Sequence, residues 1–87
     1  MSAPPLTAPV RVLLFARYAD LLGFEMLTLV PASVPTVGAV VEHLRRLPGG
    51  EVIPAHPLVA LNLERASLQQ PVCPGDEVAL LPPMAGG

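Results

Sequence analysis

The sequence has no lysine, no tryptophan and a single cysteine, Cys73. Five arginines are its only permanent side-chain cations, set against seven carboxylates for a net charge of −2. Scattered arginines in an acidic chain give no electrostatic footprint for a phosphate backbone. Aromatic residues are only 3% of the chain, which leaves few platforms for base stacking. Nucleic acid is therefore not an expected partner. No apolar run approaches the roughly 18 residues that span a bilayer, so no membrane partner is expected either. A basic segment followed by an apolar one is also missing at the N-terminus, and no secretory signal is read there. One cysteine cannot close an internal disulfide, which suits a reducing cytoplasm.

What is present is apolar. Hydrophobic residues make up 52% of the 87 positions and charged ones 14%. That composition argues against disorder and for one small domain whose apolar surplus serves a partner. Twelve prolines and seven glycines punctuate the chain. Residues 1–9, with Pro4, Pro5 and Pro9, read as a flexible or extended leader. Residues 10–16 read as a first strand, with Val12, Leu14 and Ala16 on one face and Arg11, Leu13 and Phe15 on the other. Residues 17–23 read as a short helical turn closed by Gly23, and residues 25–30 as a second strand. So short a connection favours antiparallel pairing, because a parallel crossover needs a dozen or more residues.

Thr36 is a good N-cap, and residues 37–47 form the one long helix. Val37, Val40, Val41, Leu44 and Leu47 make a single apolar stripe, with Glu42, Arg45 and Arg46 off it. Gly38 near the helix start fits a close packing contact. Residues 58–62 read as a third strand, a short strand is expected around Ser67 and Leu68, and residues 76–81 form the last strand. His43, His56 and Cys73 match no metal-binding spacing, so no metal site is expected. Their plain readings are a helix-surface residue, a loop residue and a small semi-buried filler. No catalytic triad, phosphate loop or zinc motif occurs.

The informative feature is the end of the sequence. Leu80-Leu81-Pro82-Pro83-Met84-Ala85-Gly86-Gly87 leaves a strand, stiffens through two prolines and finishes in two glycines. A terminal glycine pair arises by chance about once in 200 chains. Six residues of extended chain reach at most about 20 Å, and prolines reduce the entropy lost on ordering. Glycine lacks a Cβ and enters a slot that excludes other residues. Such a tail (residues 82–87) delivers its terminal carboxylate to another protein.

Residues 75–87 (GDEVALLPPMAGG), the Leu61-Asn62 strand end and residues 10–23 (VRVLLFARYADLLG) resemble the MoaD-type small subunits of molybdopterin synthase. These belong to the MoaD/ThiS ubiquitin-like sulfur carriers. The resemblance runs from residue 10 to residue 87. It implies an α+β, β-grasp fold over residues 10–81: a mixed four- to five-stranded sheet with one main helix on one face. It also implies that an adenylyltransferase similar to ubiquitin-activating enzymes uses ATP to adenylate Gly87, and that a persulfide donor converts the adenylate to a thiocarboxylate. The tail then enters the large subunit of the synthase, where its sulfur builds the dithiolene of a pyranopterin. The chain itself binds no cofactor in this reading, and the substrate pocket belongs to the partner.

In a β-grasp sheet the first and last strands are central and parallel. Val12, Leu14, Val78 and Leu80 are then expected beneath the helix, while Leu13, Phe15, Ala79 and Leu81 face away. These four, with Pro82, Pro83, Met84, Ala85 and Gly86, are the expected partner-binding residues, and Gly87 is the reacting one. Family members often carry phenylalanines where Leu80 and Leu81 stand, and residues 52–57 are local to this sequence. A protein modifier joined through Gly87, a carrier for tRNA thiolation or thiamine thiazole, and a plain interaction domain are the other readings. Without lysine, the chain cannot itself accept an isopeptide bond on a lysine.

Overall fold

The computed structural model describes residues 5–83. The described chain runs β1 (Val10–Leu14), α1 (Arg17–Leu22), β2 (Met26–Leu29), α2 (Val37–Arg45), β3 (Leu58–Leu61), β4 (Glu64–Arg65) and β5 (Glu77–Leu81), with single 3-10 turns at Pro31–Ser33 and Gly50–Val52. The strands form one sheet in the order β2-β1-β5-β3-β4. β1 pairs parallel with β5 and antiparallel with β2, and β3 is antiparallel to both β5 and β4. The first and last strands are thus central, adjacent and parallel, as expected.

α2 starts where Thr36 caps it, its Oγ1 accepting the Ala39 N–H at 3.1 Å. Its stripe of Val37, Val40, Val41 and Leu44 is fully buried against Val10, Val12, Leu14, Val59, Val78 and Leu80 of the sheet. At about 1.5–3 kcal/mol per buried aliphatic side chain, this layer dominates the stability of so small a domain. The helix stops at Arg45, two residues short of the expected end, and Leu47 is only half-buried. Beyond Arg45 the Arg46 and Leu47 N–H groups donate to the His43 and Leu44 carbonyls, three residues back, and Gly49 turns the chain out at a φ of 87°. The Arg45 Nε donates to the Ile53 carbonyl at 2.9 Å, tying the last turn to the following loop.

Gly38 has its reason. Its N–H donates to the Leu68 carbonyl at 2.8 Å, and a Cβ there would crowd that same oxygen at 3.1 Å. The Leu68 and Gln70 carbonyls brace the helix start, and Ser67 and Leu68 form no strand; the short strand lies earlier, at Glu64–Arg65. Cys73 corrects a second expectation, because it is exposed. Val72 takes the buried place beside it, and the Cys73 N–H is held by the Asp76 carboxylate at 2.7 Å. Residues 5–9 carry a turn in which the Ala8 N–H donates to the Pro5 carbonyl at 2.9 Å. Met84, Ala85, Gly86 and Gly87 lie outside the described residues.

Candidate functional site

Strand pairing decides which side chains share the sheet face opposite α2. Leu13 stands beside Ala79 on β5 and Met26 on β2. Ala79 stands beside Ala60 and Leu81 beside Leu58, both on β3. Because residues level with one another across a sheet project to the same side, Met26, Leu13, Ala79 and Ala60 form a continuous row, with Leu81 and Leu58 next to it. Phe15 directly follows β1 beside them, its N–H donating to the Leu80 carbonyl at 3.3 Å. None of these side chains belongs to the buried core cluster.

The face is apolar and open. Met26 is 53% exposed and Phe15 39%, whereas Leu13, Ala60, Leu58 and Leu81 are half-buried by their neighbours. Ala79 is 9% exposed although it lies outside the core cluster, a small residue at the sheet centre between Leu13 and Ala60. No described element packs over this face. Its far end is marked by Arg11 and Glu77, level on β1 and β5 and paired at 3.6 Å. Its near end is where β5 delivers the chain into Pro82 and Pro83, which cannot continue a ladder because they lack the N–H.

Leu13, Phe15, Ala79 and Leu81 are therefore brought together as expected, on the face away from the helix and leading into Pro82 and Pro83. The expected roles of Met84, Ala85, Gly86 and Gly87 fall outside the described residues. Sequence reading missed Met26, Leu58 and Ala60. Alternation within β2 and β3 assigns them a face, but only the cross-strand register shows that it is the face of Leu13 and Ala79. Among the described residues no group of three or more histidine, cysteine, aspartate or glutamate side chains could hold a metal ion. No described helix is long and apolar enough to cross a membrane.

A five-stranded mixed sheet with parallel central strands and one main helix laid across it defines a ubiquitin-like β-grasp domain. The family model described as the ThiS family matches residues 12–87, and the chain belongs to that family. It is 35% identical over 86 residues to the molybdopterin synthase sulfur carrier subunit of Escherichia coli (strain K12), taking in 90% of this chain and 99% of that one. The same figure, 35% over 79 residues, relates it to the molybdopterin synthase sulfur carrier subunit of Arabidopsis thaliana, over 90% of this chain and 82% of the other. Among solved structures, SAMP1 from Haloferax volcanii superposes with a TM-score of 0.75 at 28% identity, over 92% of this chain and all of that one (100%).

Proposed function

We propose that this chain is the sulfur-carrier small subunit of molybdopterin synthase, working in the cytoplasm and only in complex with other proteins. The observation that carries the reading is the continuous apolar face that ends where β5 turns into Pro82 and Pro83, in a chain alike over nearly its whole length to curated carrier subunits of that synthase. The patch supplies binding energy, and the prolines limit the directions in which the tail leaves.

In this proposal Gly87 carries the chemistry. A carboxylate is a poor electrophile, so its oxygen first attacks the α-phosphate of ATP on an adenylyltransferase similar to ubiquitin-activating enzymes, and pyrophosphate leaves. The terminal sulfur of a persulfide then displaces AMP, and reduction of the S–S bond by a thiol frees a Gly87 thiocarboxylate. That thiocarboxylate is a good nucleophile. In the large subunit its sulfur bonds to a carbon of cyclic pyranopterin monophosphate, displacing an oxygen substituent, and water then cleaves the Gly87 C–S bond to return the carboxylate, on the way to the molybdenum cofactor. The chain supplies the sulfur and the docking surface, and the partner supplies acid–base groups and the pocket. No cofactor is assigned to the chain itself.

A second reading is favoured by the likeness to a protein named small archaeal modifier protein 1, from Haloferax volcanii: conjugation of Gly87 to target lysines. Intact mass spectrometry after co-expression with the adenylyltransferase separates the two. Exchange of one oxygen for sulfur at the C-terminus is the expected result. Accumulation of high-mass lysine conjugates, with no sulfur gain, overturns the carrier reading.

A further inference from the structure

Two open grooves lie beside α1, which contributes residues to both, and one of them reaches Pro83 at the exit of β5. One, of about 370 Å³, is lined by Tyr18, His56, Leu58, Arg65 and Pro83 among others. A smaller extension of about 200 Å³ shares Tyr18, Pro54 and Pro83 with it and adds Arg17. No carboxylate lines either part. The groove on the other side of α1, about 600 Å³, is lined by Phe15, Asp20 and Glu25 among others. α1 thus shows its cation to one groove and its acid to the other.

Among the described residues, the charge at the Pro83 side has no carboxylate partner. The ion pairs among the described residues are Arg11–Glu77 and Arg45–Glu42, so neither Arg17 nor Arg65 has a carboxylate partner there. In a chain of net charge −2, two arginines and a histidine are gathered where the tail leaves the domain. Leu58 and Pro83 belong both to this groove and to the apolar face or its exit, so the groove continues the docking surface.

We infer that this basic groove is the charged rim of that surface and seats an acidic segment of the subunit that receives the tail. The inference rests on the carrier reading and deepens it. Charges at the edge of an apolar patch steer encounter and fix orientation more than they add affinity. The groove lined by Asp20 and Glu25 makes the steering directional, because an acidic partner segment is drawn to one side of α1 and repelled from the other. An arginine fork also matches the planar geometry of a carboxylate.

The test measures association of the full-length chain with the large subunit of molybdopterin synthase by stopped flow, from about 0.02 to 0.3 M salt. Arg65→Glu and Arg17→Glu are compared with Arg46→Glu, which changes net charge equally but lies at the end of α2, behind the sheet. At low salt each groove variant is expected to slow association about tenfold and to flatten its salt dependence, with dissociation little changed. Arg46→Glu is expected to change association by less than about twofold. Circular dichroism confirms the fold of each variant. Equal effects at all three positions, or none, overturn the basic-rim assignment while leaving the carrier reading in place. Faster association of the groove variants also overturns it, by assigning the groove to the chain's own C-terminal carboxylate. A wild-type chain that does not bind the large subunit overturns the carrier reading itself and this inference with it.

Discussion

The Asn62 side chain bridges two points at the entrance of β5: its amide Nδ2 donates to Asp76 Oδ1 at 3.0 Å and its Oδ1 accepts the Glu77 N–H at 2.9 Å. The backbone repeats the tie, with the Asn62 N–H donating to the Glu77 carbonyl at 2.8 Å. Asp76 in turn holds the Cys73 N–H through its other oxygen. A central strand is thereby locked in register at the end opposite the tail. A slip of one residue would exchange Val78 and Leu80 for Ala79 and Leu81 on the core face, and the open apolar face would be lost.

Replacing that clamp is expected to show in stability. Asn62→Ala removes two side-chain hydrogen bonds at an exposed site where water replaces them in part, and it forces alanine to hold a φ of 50°. A loss of about 1–2 kcal/mol follows, read as a lower midpoint in urea denaturation.

The next residue predicts the opposite sign. Leu61 pairs with Glu64, so Asn62 and Leu63 are the two central residues of the β3–β4 hairpin, both with positive φ. That is the type I′ geometry, for which Asn-Gly is the preferred pair. Leu63 holds a φ of 74° and is 89% exposed, so its side chain gains nothing from packing. Leu63→Gly is expected to stabilise the domain by about 0.5–1 kcal/mol, seen in the same denaturation experiment.

Thr36→Ala removes the acceptor for the Ala39 N–H at the start of α2. A cost of about 1 kcal/mol is expected. Thermal unfolding should show the lower midpoint, while binding of the large subunit below that midpoint is expected to stay unchanged, since α2 lies on the other side of the sheet from the proposed docking face.

Phe15→Asp with Leu81→Asp places two charges in the apolar face without touching the core cluster. The double variant should fold, with an unaltered circular dichroism spectrum, yet lose at least about a hundredfold in affinity for the large subunit. Retained affinity in a folded double variant would remove the docking assignment.

Deletion of Gly87 should leave the denaturation midpoint where it is, because among the described residues the core side chains end at Leu80. Sulfur loading should fall to background. Intact mass after exposure to the adenylyltransferase, ATP and a persulfide donor measures the outcome.

Much of this molecule can be read from local pattern. A period near four placed Val37, Val40, Val41 and Leu44 on one buried stripe, and a period of two separated Leu13, Ala79 and Leu81 from Val12, Val78 and Leu80. Proline and glycine marked where helices and strands stop. These assignments need only near neighbours in the chain, because each residue's facing follows from backbone geometry. The Gly-Gly end and its Pro-Pro approach were legible in the same way.

Pairing across the sheet was decided elsewhere. That Met26 joins Leu13, that Leu58 joins Leu81, and that Arg17, His56 and Arg65 meet beside Pro83 depends on contacts between segments far apart in sequence. The short strand at Glu64–Arg65 and the exposed Cys73 belong to the same class. There the choice turned on the Leu68 carbonyl held by Gly38 and on the Asp76 carboxylate held by Asn62, pairings that exist only once the chain has closed on itself.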